Sequence, residues 1–142
     1  IVTVTQNDVY IIAILAIIVV ALLEIFYKEL VYISFDEESA RVSGVPVRLI
    51  NTILIVLAAL TISLAIPIVG VLLIAALIVI PVITALQLKK SFAQTIFYAE
   101  CFSLLSVISG IFTSFYFNLS TGGTIVLIML LIFFIVTVFK KH

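Results

Sequence analysis

Charged residues are scarce in this chain of 142 residues. Lysine, arginine, aspartate and glutamate together make up 10 % of the sequence, as seven basic and seven acidic side chains with no net charge. Soluble domains carry about a quarter charged residues. The composition therefore excludes an ordinary soluble domain, and no nucleic-acid partner is expected.

Cysteine and histidine are scarcer still, with one residue of each. The single Cys101 cannot form a disulfide within the chain, and one histidine with one cysteine cannot make a Cys/His metal cluster. The sequence also lacks the G-x-x-x-x-G-K-[ST] loop that holds nucleotide phosphates. We therefore expect no catalytic residue, no bound cofactor and no enzyme activity in this chain.

Apolar residues dominate instead, at 65 % of the sequence with a mean hydropathy of +1.52. About 20 apolar residues in a helix cross the roughly 30 Å hydrocarbon core of a bilayer. A helix also satisfies its own backbone hydrogen bonds in lipid. The sequence thus predicts an all-α, polytopic transmembrane helical bundle, a single domain over residues 1–142. About five membrane-spanning helices are expected, at residues 9–26, 49–66, 70–88, 92–117 and 124–139.

The basic residues predict the orientation of these helices. All seven lie in three places: between the first two spans, at Lys89 and Lys90, and at Lys140 and Lys141. Five alternating spans put these places on one side, which the positive-inside rule assigns to the cytoplasm. We expect the N-terminus outside and the C-terminus in the cytoplasm. Turns on the outer side are expected at Pro67 and Gly70, which break helices, and at residues 118–123.

A polar segment at residues 35–48 is expected on the cytoplasmic side. Ser34 and Glu37 fit a capping box, Glu37 and Arg41 are spaced i, i+4, and Gly44 suits a left-handed helix end. A short amphipathic helix is predicted, before a new segment at Pro46. It either contacts a soluble partner or only connects two spans, since charged runs are usually solvated faces.

Glu100 lies about 12 Å into the fourth predicted span at 1.5 Å per residue. A carboxylate at that depth is costly unless it faces a polar cavity or a partner. It is therefore a candidate pathway group that meets a divalent cation in transit. The alternative is a protonated glutamate that hydrogen-bonds a neighbouring helix. No metal-binding residue is assigned.

Small residues and one proline predict how the helices pack. Ser106, Gly110 and Ser114 recur every four residues and favour close approach of another helix. Pro81 removes one backbone hydrogen bond and predicts a kink, which serves a gate or is inert. Asp8 is predicted to cap the first helix.

Three stretches resemble the permease subunits of ATP-binding-cassette importers for zinc, manganese or iron. They are FYKELVYISFDEESARVSGVPVRLIN at 26–51, IPIVGVLLIAALIVIPVITALQL at 66–88 and SGIFTSFYFNLSTGGTIVL at 109–127. Their order and spacing resemble the C-terminal half of such a permease. The chain begins with isoleucine and not methionine, and we expect it to be part of a longer protein.

The resemblance implies a multi-pass protein of a bacterial or archaeal plasma membrane. Its implied partners are a second permease copy, cytoplasmic ATPase subunits that bind the ATP, and an extracytoplasmic metal-binding protein. Short cytoplasmic helices after the third span would contact the ATPase. By position, the contact residues are Ile83, Thr84, Leu86, Gln87, Lys89, Lys90, Ser91 and Gln94. A secondary contact is implied at Asp36, Glu37, Ala40, Arg41 and Gly44.

Two alternatives stay open. A scaffold membrane protein would have similar spans but would move no solute. A permease for iron chelates, of the siderophore type, is disfavoured because this chain has Pro81–Val82 where that class typically has a Pro-His pair.

Overall fold

The computed structural model describes residues 4–141 and shows seven helices, with no strand in that part of the chain. The predicted all-α membrane bundle is confirmed. The helices are α1 (Gln6–Ile25), α2 (Tyr27–Phe35), α3 (Glu37–Val42), α4 (Val47–Val69), α5 (Val71–Gln87), α6 (Phe92–Phe117) and α7 (Thr121–Lys140).

Four helices are long and apolar enough to cross a bilayer: α1, α4, α6 and α7, with 20 to 26 residues each. The protein is therefore a multi-pass integral membrane protein. The third predicted span corresponds to α5, which has 17 residues and a length of about 26 Å. It lies at the lower limit of spanning helices.

The start of α1 differs from the prediction. Thr5, and not Asp8, is the N-cap. The Thr5 side chain accepts the backbone N–H of Asp8 at 3.3 Å, and the Asp8 carboxylate accepts the backbone N–H of Thr5 at 2.9 Å. This reciprocal capping box satisfies two free amides, and the helix therefore begins at Gln6.

The turn after the second predicted span also differs. Pro67 lies inside α4, which continues to Val69, and the break falls at Gly70 alone, with a φ of +89°. A proline costs a helix one hydrogen bond, and membrane helices tolerate that loss. A positive φ is available to glycine without steric cost, and the chain therefore turns there.

The described residues divide into two compact units, one ending at Ile68 and the other beginning at Val69. The single domain predicted for residues 1–142 stays a prediction, and its first three residues and His142 lie outside the described part.

In the first unit, α1 passes into α2 with almost no break. The backbone N–H of Phe26 donates to Leu22 at 3.0 Å, and the N–H of Leu30 donates to Phe26 at 2.8 Å. The helix predicted at 9–26 is thus followed directly by nine further helical residues. No residue of α1 is buried, and a helix that is apolar all round is typical of a membrane span.

In the second unit, α5, α6 and α7 pack against one another. The buried core consists of Leu73 on α5 with Ile125 and Met129 on α7. Most other large apolar side chains are exposed, as is expected of helices that face lipid or further membrane helices.

Candidate functional site

The junction between α5 and α6 contains the predicted ATPase contact, and it holds no separate short helix. α5 continues through Gln87, four residues follow, and α6 begins at Phe92. The prediction of a helix of its own in this segment is wrong. Leu88 is the C-cap, and the N–H of Lys89 donates to Leu86 at 3.1 Å, so the chain leaves the helix at once.

Lys89 adopts a φ of +49° at this turn, in the left-handed region. Glycine is the usual residue at that place after a helix because it has no Cβ to clash. Ser91 then caps α6, and its carbonyl accepts the N–H of Thr95 at 2.8 Å. The turn is thus held by backbone bonds on both sides.

The predicted contact residues divide into an exposed and a buried group. The exposed ones are Ile83, Leu86, Lys89, Lys90, Ser91 and Gln94. Thr84 is 1 % exposed and donates to the Ile80 carbonyl of its own helix. Gln87 is half-buried, and its Oε1 accepts a hydrogen bond of 2.9 Å from the Thr137 hydroxyl on α7. Thr84 and Gln87 are therefore engaged inside the unit.

The helix predicted in the polar segment 35–48 exists as α3, but its cap differs. Ser34 belongs to α2, where its hydroxyl donates to the Leu30 carbonyl at 2.8 Å. Asp36 is the N-cap and accepts the N–H of Ser39 at 3.0 Å. Asp36 lies directly before Glu37, the first residue of α3, whereas Ser34 is still part of α2. The proposed box of Ser34 with Glu37 is wrong for this reason.

Electrostatics at α3 follow from this cap. Hydrogen bonds from the side chain and the backbone of Ser39 hold the pKa of Asp36 below its usual value. Glu37 pairs with Arg41 at 2.9 Å, which confirms the i, i+4 contact, although both side chains are more than half exposed. Such exposed pairs contribute little to stability. Gly44 has the predicted positive φ, of +87°.

Two residues of this region were missed by the sequence reasoning. The Tyr32 hydroxyl lies 2.9 Å from Ser43 Oγ and joins α2 to the end of α3. One carboxylate oxygen of Glu29 is buried with no hydrogen-bond partner among the described residues. Among the predicted secondary contacts, Ala40 is fully buried, whereas Asp36, Glu37, Arg41 and Gly44 are exposed.

Glu100 lies nine residues into α6 and is exposed on the surface of the chain. No group of three or more histidine, cysteine, aspartate or glutamate side chains that could hold a metal occurs within residues 4–141. Cys101, which follows Glu100, is partly buried.

The small residues of α6 lie where the helices come closest. Ser106, Gly110 and Ser114 are the buried residues of that helix. A Cβ placed on Gly110 would lie 2.9 Å from the Ile125 Cα, a distance that real side chains do not reach. The Ser114 hydroxyl donates to the Leu119 carbonyl at 2.6 Å and lies 3.0 Å from Thr121 Oγ1. Pro81 is buried within a continuous α5, and its kink stays a prediction.

Known proteins resemble this chain over almost its whole length. A "Probable metal transport system membrane protein" of Treponema pallidum is 36 % identical over 136 residues, covering 96 % of this chain and 51 % of the relative. The manganese transport system membrane protein MntC of Listeria innocua is also 36 % identical, covering 96 % and 49 %. The high-affinity zinc uptake system membrane protein ZnuB of Buchnera aphidicola is 38 % identical, covering 87 % and 48 %.

A solved structure gives the same correspondence in three dimensions. PsaBC from Streptococcus pneumoniae, in complex with Fab, matches with a TM-score of 0.87 and 32 % identity, over 94 % of this chain and 48 % of that one. The chain thus spans about half the length of the relatives it matches. The model of the ABC 3 transport family matches residues 1–140, and this chain belongs to that family.

Proposed function

We propose that this chain is part of the membrane-spanning permease of an ATP-driven importer of a divalent metal ion, zinc, manganese or iron. The observation that carries the proposal is the identity of 36 to 38 % to relatives named for metal, manganese and zinc transport. The metal is cargo in this proposal and not a resident cofactor. The importer is placed in a bacterial or archaeal plasma membrane, with an extracytoplasmic protein that delivers the metal.

The proposed topology has five crossings, with α5 as the shortest. Lys89 and Lys90 then lie on the same side as Lys140 and Lys141, and the positive-inside rule assigns that side to the cytoplasm. This chain would begin outside and end in the cytoplasm. A helix of 17 residues crosses if the bilayer thins or if flanking lysines extend to the interface.

The proposed ATPase contact is the exposed part of the α5–α6 junction. Leu86 is 58 % exposed and Ile83 is 44 % exposed, and these apolar side chains adjoin the two exposed lysines. An apolar centre with a charged rim is the usual anatomy of a protein interface. Thr84 and Gln87 would support the surface from inside. The exposed residues of α3 would form a secondary contact.

The proposed transport pathway includes Glu100. An exposed carboxylate within a membrane helix is costly in lipid, and such residues face a bundle interior or a water-filled cavity. The second permease copy, or the part of the permease that lies outside this chain, would provide that surrounding. Carboxylate oxygen suits Mn²⁺ and also binds Zn²⁺.

The test of the coupling proposal is charge reversal at the junction. In the full-length permease, Lys89→Glu with Lys90→Glu should reduce co-purification of the ATPase subunits, because like charges would then face the acidic partner surface that two lysines imply. The matched control is Lys28→Glu with Arg48→Glu, which reverses two charges in α2 and α4. Equal co-purification of both variants and the natural protein would contradict the assignment.

A further inference from the structure

The second unit has an uneven distribution of charge. Between residues 69 and 141 it contains four lysines and a single acidic residue, Glu100, which lies nine residues into α6. The lysines are Lys89, Lys90, Lys140 and Lys141. None of them forms an ion pair within the described part of the chain. Their positive charge is thus uncompensated by the protein around them.

One hydrogen bond brings the four lysines to a common end of the unit. The Thr137 hydroxyl donates to Gln87 Oε1 at 2.9 Å and joins the last residue of α5 to the last turn of α7. Lys89 follows Gln87 by two residues, and Lys140 follows Thr137 by three. The ends of α5 and α7 therefore lie side by side, and the lysines that follow these two residues lie at the same end of the unit.

The conformation of Lys89 is a second observation. Among the described residues the other positive φ angles belong to Gly44, Gly70 and Asn118, residue types that adopt this region readily, but at the end of α5 the chain places a lysine at +49°. A side chain in the left-handed region is sterically unfavourable and persists where something else requires it. Lys89 thus adds a positive charge to an end of the unit that already holds three other lysines.

The surface beside the lysines is apolar. Leu86 on α5 is 58 % exposed, and Phe139 on α7, directly before Lys140, is 80 % exposed. A soluble acidic protein would match the lysines but would leave Phe139 without an apolar partner. A phospholipid with an anionic headgroup matches both, because its phosphate and its acyl chain are joined in one molecule at the membrane interface.

We infer that Lys89, Lys90, Lys140 and Lys141 bind the headgroup of an anionic phospholipid, with an acyl chain lying against Leu86 and Phe139. This inference does not require the ATPase subunits. It gives Lys140 and Lys141 a role that the coupling proposal does not assign. Lys89 and Lys90 would border both the lipid and the ATPase.

The test is a lipid titration of the full-length permease, purified without its ATPase subunits in a neutral detergent. Native mass spectrometry would measure the apparent affinity for phosphatidylglycerol and for phosphatidylcholine. We expect preferential binding of phosphatidylglycerol. Each lysine near an anionic surface strengthens binding roughly five-fold, so Lys140→Gln with Lys141→Gln should weaken it roughly 25-fold. Lys140→Arg with Lys141→Arg should retain it.

The control is Lys28→Gln with Arg48→Gln, which also removes two positive charges but lies outside the cluster. A much smaller loss than in the Lys140 and Lys141 variant is expected. Equal losses in the two variants, or equal binding of both lipids by the natural protein, would overturn the inference. If Lys140→Gln with Lys141→Gln keeps its phosphatidylglycerol binding but, in a separate pull-down, loses the ATPase subunits, the cluster belongs to the protein partner and the inference is also overturned.

Discussion

Replacing Gly110 tests the packing of α6 on α7 most directly. A Cβ at this position would lie 2.9 Å from the Ile125 Cα and 3.1 Å from its Cβ. Carbon atoms pack at about 3.5 to 4.0 Å, so Gly110→Ala forces the two helices apart by at least about 0.6 Å. The obstacle includes backbone, and rotation of the Ile125 side chain cannot relieve it.

The magnitude follows from two opposing effects. Alanine in a helix interior is favoured over glycine by about 1 kcal/mol. Overpacking typically costs about 1 to 3 kcal/mol, and a gap of 0.5 to 1 Å removes about a quarter to a half of the dispersion energy of each contact it opens. Ser106 and Ser114 lie on the same buried stripe and would lose contacts as well. We therefore expect a net destabilisation of up to about 2 kcal/mol.

The assay is reversible denaturation of the full-length permease in mixed micelles. Gly122→Ala is the matched control, because a Cβ there meets only Leu73 Cβ at 4.0 Å, an ordinary contact. That variant should be neutral or more stable by up to about 1 kcal/mol. Gly110→Ala combined with Ile125→Ala should recover part of the loss, because the substitution removes Ile125 Cγ1, which would also clash with the added Cβ. Equal stability of the two alanine variants would refute the reasoning.

Two further predictions concern α3 and α6. Asp36→Ala should increase hydrogen exchange at the Ser39 amide, because that amide loses its acceptor. Asp36→Asn should retain protection. The folded pKa of Asp36 is lowered, so the cap stabilises α3 above the usual value of 3.8 and weakens as the pH falls below it; protection of Ser39 that is flat from pH 6 to pH 3 would contradict this. Glu100→Gln should slow uptake of the cognate metal by full-length protein in proteoliposomes while assembly stays intact, and unchanged uptake would assign Glu100 to packing.

Long apolar runs made the helices predictable, and the bounds of α6 agree with the prediction at both ends. Helix ends were less predictable because neighbouring polar residues compete for the same free amides. Thr5 and Asp8 both fit a cap, and so did Ser34 and Asp36. Pro67 was predicted to break the helix, but α4 continues past it, because a membrane helix tolerates the loss of the one hydrogen bond that a proline removes.

The candidate sites were predictable only where spacing alone places residues together. Four-residue spacing is enough to put Ser106, Gly110 and Ser114 on one face of α6. The bond between Gln87 and Thr137 joins residues 50 positions apart, and no local pattern encodes it. The same applies to the cluster of Lys89 with Lys140, which depends on two helices ending side by side.

The link between α6 and α7 bears on biogenesis. It has three residues, begins with Asn118 at a φ of +51°, and is closed by the Ser114 hydroxyl on the Leu119 carbonyl. The hydrogen bonds at this reversal join residues that lie within eight positions of one another, so we expect them to form early, without help from distant parts of the chain. The two helices are therefore expected to enter the bilayer together as a hairpin, with the polar ends of the link already satisfied.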